Sequence, residues 1–441
     1  MNNYLANYCP GLSEAMLLKN KILSYFNIGK RALNNKDGKT LASNFAWLTV
    51  LQVAGYVFPL ITLPYLARVI GVDGFGKIAF AGAVVSWMQT IADWGFNFTA
   101  TRDVARNRED IDKVSDIFST VLWSRCCLLI LSYLVMALLV LVVPRFYEAR
   151  YAIMVTSLML VGHILYPEWF FQAMERMKYI TILGVVAKLV FTTAVFVFIH
   201  KPEDYILQPL FVSLGFLVSG IISLYFILGR WGVKLRKPSF KAIIFTIKGS
   251  TDIFINNLMP NLYNSFSVVL LGLYGNPTQN GLYDAGKKLP ITANQFVTII
   301  SRTFFPYLSR HNEKHSLFAK LYIGTAAIIA CFLFIFAKPI LLLFYSEAFL
   351  DAVPIMKLIS FSLIFLAMCS AYGTNYLLVN NYDRLLRNIT MVASIIGFII
   401  AFPLIKCFGY LGAAWTFTIS TVLMGLLPMI AVLRIKRNKT K

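Results

Sequence analysis

Long apolar runs, each about as long as a bilayer is thick, dominate this sequence of 441 residues. Apolar residues make up 58% of the chain and charged residues only 14%, which is more apolar surface than a soluble domain of this size needs. In hydrocarbon every backbone polar group must be hydrogen-bonded within the protein, and a helix achieves this within one segment. The sequence therefore predicts an all-α, polytopic membrane protein.

Twelve transmembrane helices are predicted, because twelve runs of about 20 residues reach the required hydropathy. Only the seventh is weak, since one Asp and several Asn residues interrupt it. The twelve runs lie at 45–67, 78–101, 117–143, 151–173, 179–199, 206–228, 251–274, 282–304, 317–337, 353–378, 389–407 and 410–433.

The orientation of these spans follows from the loops, because Lys and Arg concentrate in the N-terminal segment, in the loops after even-numbered spans and in the tail. The positive-inside rule places both termini in the cytoplasm. The longest basic loop divides the chain into two six-helix bundles. The expected units are a cytoplasmic extension at 1–40 (with Met1 or Met16 as its first residue), bundles at 41–228 and 251–433, a linker at 229–250 and a basic tail at 434–441.

The two halves show weak internal similarity at an offset of about 200 residues, as expected for a duplicated unit of parallel topology. Gly71 and Gly76 in the first outer loop correspond to Gly275 and Gly281 in the second half. We therefore expect the halves to be related by an axis along the membrane normal.

A polar stripe marks the eighth span. Asp284, Lys288, Gln295 and Arg302 follow one another at helical spacing, and Lys287 flanks them. Ionisable residues at membrane depth face a water-filled cavity and are binding-site candidates. The stripe therefore predicts a cationic binding site.

Other spans also carry polar residues that should face one shared central cavity, because each charge in hydrocarbon costs about 2.5–3.5 kcal/mol. Span two has a polar face from Ser86 to Asn97, and Lys188 lies in span five. His163 fits a packing role better than a proton relay, and Asn side chains of span seven could serve only as interhelical hydrogen-bond partners. The candidate substrate-binding residues are Lys188, Lys287, Lys288, Arg302, Asn97, Asn256 and Gln295. The candidate coupling or gating residues are Asp93, Asp252 and Asp284.

A net charge of +21 does not indicate nucleic acid as a partner, because the basic residues are spread over short loops instead of one continuous face. The six Cys residues show no metal-binding spacing. Neither a metal nor a cofactor is expected.

Several short motifs resemble bacterial polysaccharide flippases of the Wzx type. Asp93–Asn97, with Thr101–Ala105 and Arg108–Asp110, is similar to the end of that family's second span. Pro167–Gln172 resembles its fourth-span signature, although Ala173 stands where the family usually has Gly. Gly71–Gly76 resembles the first outer turn of the family and Gly409–Ala414 its last, and the likeness covers about residues 41–435.

The resemblance implies the fold of multidrug exporters of the MATE type and of lipid II flippases, with two bundles around a central cavity. It implies a cargo of oligosaccharide joined through pyrophosphate to undecaprenol, flipped by alternating access across the bacterial inner membrane. Polysaccharide polymerase and chain-length proteins could be partners, in addition to membrane lipid. A pyrophosphate diester would suit the Lys and Arg donors of the cavity.

The sequence leaves two other functions open. A MATE-type cation antiporter would favour acidic and aromatic residues, whereas the candidate residues have a slight basic excess. A membrane-embedded polymerase or glycosyltransferase would need a sizeable loop for its chemistry, and the outer loops are short and lack paired carboxylates. We therefore expect a transporter, driven by the membrane potential or by coupling to an ion.

Overall fold

The structure is a computed structural model that describes residues 36–439, and these residues form helices and no strands. The predicted extension at 1–40 lies almost wholly outside them. The described part of the first half contains α1 (Lys36–Asp93), α2 (Phe96–Arg106), α3 (Ile111–Val142), α4 (Pro144–Glu148), α5 (Arg150–Leu165), α6 (Glu168–Ala173), α7 (Met177–Phe198) and α8 (Leu207–Leu224).

A 3₁₀ turn at Pro202–Ile206 precedes α8, and π-helical residues Tyr225–Arg230 extend it. The described part of the second half contains α9 (Phe240–Asn261), α10 (Ser265–Tyr274), α11 (Pro277–Arg310), α12 (His315–Ile335), α13 (Ala337–Phe344), α14 (Val353–Met368) and α15 (Asp383–Lys439). Short 3₁₀ turns at Asn312–Lys314 and Glu347–Ala352 precede α12 and α14, and π-helical residues Cys369–Leu378 extend α14.

The two longest helices are each broken at one glycine. Gly71 in α1 has φ 64° and Gly409 in α15 has φ 55°, a left-handed conformation that glycine adopts without a steric penalty. Each break separates two of the predicted spans. The glycines that the sequence placed in the first and last outer turns therefore act as turns inside long helical segments.

All twelve predicted spans fall on helical segments, but only eight helices of residues 36–439 are long and apolar enough to cross a membrane. Two of these eight, at 43–106 and 383–438, contain two predicted spans each. The seventh and eighth predicted spans are not among the eight. The seventh is divided between α9 and the ten-residue α10. The eighth, which hydropathy predicted as a clear span, is the polar helix α11. The all-helical, membrane-spanning class is confirmed, while the count of twelve spans and the cytoplasmic termini stay predictions.

The segment between the halves is non-helical only over residues 231–239, because α9 begins at Phe240, inside the predicted linker. The Ser115 and Ser119 hydroxyls on α3 accept hydrogen bonds from the backbone N–H groups of Lys234 and Arg236, at 3.0 and 2.9 Å. The Arg236 guanidinium also pairs with Asp116 and Asp112, and these hydrogen bonds raise its pKa. The linker is thus attached to the first half.

The largest hydrophobic core belongs to both halves. Leu63 and Ile70 of α1 pack in one cluster with Tyr283 of α11 and Ile355 of α14. A second cluster, built on Phe118, Phe170 and neighbouring aromatic side chains, lies within the first half. The halves therefore form one packed body around the site described next.

Candidate functional site

A cavity of about 530 Å³ lies between the two halves. The first half contributes residues of α1, α7 and α8 to its wall, and the second half contributes residues of α10 and α11. The polar residues in this wall are Thr62, Ser86, Gln208, Asn264, Ser265, Asp284, Lys287 and Lys288. We call this space the central cavity.

One turn of α11 supplies the charges of the central cavity. Lys288 Nζ lies 3.8 Å from Asp284 Oδ2, and both side chains are more than a third exposed. Lys287 is held more firmly: it donates a hydrogen bond to Asn264 Oδ1, and its ammonium lies over the rings of Tyr283 and Phe417, at 5.1 and 4.7 Å from their centroids. Lys288 is thus the more available cation, and Lys287 is fixed in the wall.

The helix that carries these residues is well defined at its start. Asn276 caps α11 by accepting a hydrogen bond from the Gln279 N–H at 2.9 Å, and Pro277 occupies the first turn. The helix continues without a break past Pro290 to Arg310. The spacing of 3 and 4 residues then brings Lys287 and Lys288 to the side of Asp284, as the sequence predicted.

The lower part of the predicted stripe does not reach the central cavity. Gln295 is half-buried and Arg302 is exposed, and neither belongs to its wall. The four residues lie on one continuous helix at helical spacing, but the cavity is lined only by its first part. A binding role for Gln295 and Arg302 stays a prediction.

Hydrogen bonds join the halves at the edge of the central cavity. Ser86 Oγ lies 3.3 Å from Ser265 Oγ, and Asn261 donates to the Thr90 hydroxyl at 2.8 Å. Asn261 thus forms an interhelical hydrogen bond, which is the alternative role that the sequence analysis gave to the Asn side chains of span seven.

Lys188 lines a second cavity, of about 250 Å³, together with Glu168. This side cavity shares Pro59, Phe191 and Val212 with the wall of the central cavity. Among the described residues no hydrogen bond involves the Lys188 ammonium. The prediction that Lys188 faces the central cavity is therefore wrong: it lines a neighbouring cavity, and these three apolar residues lie between the two spaces.

Asp93 points into the first half instead of the central cavity. Its carboxylate accepts a hydrogen bond from the Arg125 guanidinium and lies 3.2 Å from His163 Nε2. The Arg125 side chain is 2% exposed and those of Asp93 and His163 are 17% exposed. Sequence reasoning missed Arg125, although a lone Arg inside the apolar run at 117–143 was a sufficient signal.

The polar face predicted for span two ends at Asp93 because the helix ends there. Trp94 and Gly95 have positive φ angles of 42° and 79°, which separate α1 from α2. Ser86 lines the central cavity, whereas Asn97 is exposed on α2. The regular spacing of these residues therefore does not place them on one surface.

The predicted residues of span seven are also divided. Asp252 and Asn256 are both exposed on α9, and Asn256 lines a separate cavity of about 450 Å³ with Arg384 and Arg387 of α15. This cavity contains none of the central-cavity residues. Neither Asp252 nor Asn256 is brought to Lys288.

A reciprocal backbone contact holds the halves together at the predicted periplasmic end. A Cβ atom on Gly76 would lie 1.6 Å from the Pro277 carbonyl oxygen, and one on Gly281 would lie 2.1 Å from the Val72 carbonyl oxygen. Glycine is required at both places because the two backbones touch. Gly76 and Gly281 are corresponding positions of the two halves, so the contact follows their internal similarity.

At the opposite end, the halves are joined by an aromatic stack. The rings of Trp94 and Phe254 are parallel, with centroids 3.9 Å apart, and Trp94 Nε1 donates to the Ile247 carbonyl oxygen at 3.1 Å. The central cavity therefore lies between two zones of contact.

The chain is similar to known proteins in sequence and in fold. Residues 41–312 match the profile of a family described as "Polysaccharide biosynthesis protein". Two proteins, from Escherichia coli (strain K12) and Shigella dysenteriae, carry the name "Putative O-antigen transporter". Each is 26% identical to this chain, and the matches cover 90% and 89% of this chain and 98% and 99% of the relatives.

Solved structures resemble the chain in fold. The lipid II flippase MurJ in an inward-closed conformation matches with a TM-score of 0.71 at 13% identity, covering 88% of this chain and 87% of that structure. A eukaryotic MATE transporter matches with a TM-score of 0.53 at 16% identity, covering 92% and 96%. At these identities the likeness establishes the fold alone.

Proposed function

The chain belongs to the polysaccharide biosynthesis protein family, and on that premise we propose that it flips undecaprenyl-pyrophosphate-linked oligosaccharide repeat units from the cytoplasmic to the periplasmic leaflet of the bacterial inner membrane. The names of its two bacterial relatives refer to O-antigen transport, and a lipid II flippase shares its fold. The names of these relatives and the shared flippase fold favour transport over catalysis.

The observation that carries the proposal is the chemistry of the central cavity. Its wall combines the ammonium groups of Lys287 and Lys288 with hydroxyl and amide groups from both halves. A pyrophosphate diester carries two negative charges, and ammonium donors form charge-assisted hydrogen bonds with phosphate oxygens. The hydroxyl and amide groups are suitable partners for sugar hydroxyls.

We assign separate roles to the two lysines. Lys288 would bind the pyrophosphate directly and exchange its partner Asp284 for the cargo. Lys287, already held by Asn264 and two aromatic rings, would supply a fixed positive charge. Arg302 and Gln295, further along the same face of α11, would contact the cargo at another stage of transport.

Alternating access would couple the two contact zones. The bundles at 41–228 and 251–433 would rock against each other. In one state the contact at Gly76 and Gly281 is open and the contact at Trp94 and Phe254 is closed, and in the other state the first contact is closed and the second is open. Twelve spans and cytoplasmic termini fit this scheme. Polysaccharide polymerase and chain-length proteins are the partners that would use the product.

A cation antiporter of the MATE type is the second candidate, because its fold is also shared. Asp284 is the one acidic group in the wall of the central cavity, against two lysines. A cationic drug would be repelled by that excess of positive charge, whereas an anionic cargo would be attracted. The charge balance favours the flippase.

The test is the substitution Lys288→Ala, compared with Lys320→Ala, which removes an exposed lysine of α12 outside the cavity. Loss of one charge-assisted hydrogen bond should weaken cargo binding by about 1.5–3 kcal/mol. Surface polysaccharide should fall sharply in the first variant and stay normal in the second, at equal protein abundance. Normal polysaccharide in Lys288→Ala cells would contradict the assignment.

A further inference from the structure

A second basic cavity lies within the second half, apart from the central cavity. It has a volume of about 450 Å³, and its wall is formed by α9, by the π-helical residues that extend α14 and by the first turns of α15. Arg384 and Arg387 line it, and Asp383 is the one acidic group among the described residues of its wall. The wall therefore has an excess of positive charge. We call this space the arginine cavity.

The two arginines of this cavity have no partner within the described part of the chain. Among residues 36–439 no ion pair, hydrogen bond or ring contact involves the guanidinium of Arg384 or Arg387, and both side chains are exposed. Arg108 and Arg236, at the same predicted end of the protein, each have a carboxylate oxygen 2.9 Å from a guanidinium nitrogen. The arginine cavity thus offers two guanidinium groups that are available to a ligand.

A defined backbone turn presents the two arginines. Asn381 has φ 61°, a left-handed conformation that asparagine adopts more readily than most residues. The next residue, Tyr382, donates its backbone N–H to the Leu377 carbonyl oxygen at 2.8 Å. Helix α15 begins directly after this turn, and a spacing of three residues places Arg384 and Arg387 side by side on it.

The position of the arginines within α15 favours an anion beside them. The start of a helix carries a partial positive charge and unpaired backbone N–H groups, so cations are unfavourable there and anions are favourable. Arg384 and Arg387 are the second and fifth residues of α15, and Asp383 offsets only one of their two charges. A bound anion would compensate for the remaining charge.

The other residues of the wall suit a phosphate group that is attached to a lipid. Guanidinium groups bind phosphate oxygens through paired, charge-assisted hydrogen bonds. Asn256, Thr374 and Thr390 add amide and hydroxyl groups, whereas Leu378 and Leu386 make part of the wall apolar. The positive-inside rule places this end of the protein in the cytoplasm, and basic pockets between membrane helices on that side are typical sites for anionic head groups.

We propose that the arginine cavity binds the phosphate group of a lipid in the cytoplasmic leaflet, held by Arg384 and Arg387 together. An anionic phospholipid and a polyprenyl pyrophosphate both carry this chemistry. The bound group would join α15 to α9, the helix that also carries Phe254 of the aromatic stack with Trp94. The site does not require the proposed function, because it contains none of the central-cavity residues.

The experiment counts the lipids that the purified full chain retains, by native mass spectrometry. All proteins carry Lys288→Ala, which weakens binding in the central cavity. The probes are dioctanoyl phosphatidylglycerol, geranyl pyrophosphate and the zwitterionic dioctanoyl phosphatidylcholine. The test variant combines Arg384→Gln with Arg387→Gln. Its matched control combines Lys237→Gln with Lys241→Gln, which removes two exposed cations at the same predicted end but outside the arginine cavity.

At least one anionic probe should bind, and the test variant should bind it at least about tenfold more weakly, the factor expected for losing one charge-assisted hydrogen bond. The control should bind it normally, and phosphatidylcholine should bind all variants equally. The anionic probe that responds identifies the source of the phosphate. Retention of neither anionic probe, equal weakening in both variants, or no weakening in the test variant would overturn the site. None of these results bears on the proposed function, which the Lys288→Ala substitution tests by itself.

A second variant tests the cavity without changing its charge. Thr374→Phe places an aromatic ring in the arginine cavity, and Thr193→Phe, at an exposed position of α7, is its control. Binding of the responding probe should fall in the first variant and persist in the second. Equal binding in the two variants would refute the cavity as the site.

Discussion

Alanine at Gly76 should prevent the two halves from closing at the predicted periplasmic end. The added Cβ atom would lie 1.6 Å from the Pro277 carbonyl oxygen and 2.4 Å from its carbonyl carbon. Both are backbone atoms, so rotation of a side chain cannot relieve the clash. The start of α11 has to move away from α1.

The size of the effect follows from this geometry. Ordinary contact of a Cβ atom begins at 3.4 Å, so the two backbones must separate by about 1.8 Å. Overpacking of this kind costs about 1–3 kcal/mol. A cost of about 2.7 kcal/mol would reduce the population of the closed arrangement by roughly a hundredfold relative to one in which this end is open.

Cysteine accessibility measures this shift. Ser86 lines the central cavity, and Ser86→Cys in a protein without native Cys provides a reactive group there. A membrane-impermeant thiol reagent added from the periplasm should label it between about ten and a hundred times faster in the Gly76→Ala protein. Gly324→Ala is the control, since a Cβ atom on Gly324 in α12 would have no heavy atom within 4 Å.

Two results would refute the reasoning. The first is equal labelling in Gly76→Ala and Gly324→Ala proteins of equal abundance. The second is faster labelling in Gly76→Ala with no effect of Gly281→Ala, whose Cβ atom would lie 2.1 Å from the Val72 carbonyl oxygen. The reciprocal contact predicts that both substitutions act in the same direction.

Three further predictions concern the buried ion pair, the driving force and the topology. Arg125→Met should lower protein abundance and thermal stability, because it leaves Asp93 charged without its main partner at a cost of about 3–5 kcal/mol. Adding Asp93→Asn should restore both, and no recovery in the double variant would contradict this account. An inside-negative potential alone should speed outward flipping in vesicles, since moving two negative charges outward releases roughly 4.6 kcal/mol per 100 mV; a strict need for a proton or sodium gradient would contradict it. Cysteine at Glu203 should react with an impermeant thiol reagent in intact cells and cysteine at Lys237 should not, and labelling at Lys237 would reverse the predicted orientation.

Hydropathy and spacing predict the helices well because both depend on local sequence. The run of polar residues on α11 forms one helix that keeps its register past Pro290, and its upper turn lines the central cavity. Proline in a membrane helix is tolerated where neighbours compensate for the missing hydrogen bond. The helical spacing alone was enough to predict that Lys287 and Lys288 line a cavity together.

Long-range contacts were not predictable in the same way. Asp93 was assigned to the central cavity because its spacing from Ser86 is helical, but the partner that turns it inward, Arg125, comes from α3. The backbone turn at Trp94 and Gly95 then removes Asn97 from that face. Spacing describes one helix, whereas the position of a face depends on which helices pack against it.

The buried Arg125 also bears on how the protein is made. Asp93 and Arg125 lie on consecutive membrane segments, so the ribosome delivers the acid first and its base one segment later. Each charge alone would cost about 2.5–3.5 kcal/mol to place in hydrocarbon, while the paired groups neutralise each other. Insertion therefore costs least free energy if the second half of α1 and α3 enter the bilayer together, as a helical hairpin. His163 joins this pair only when α5 follows.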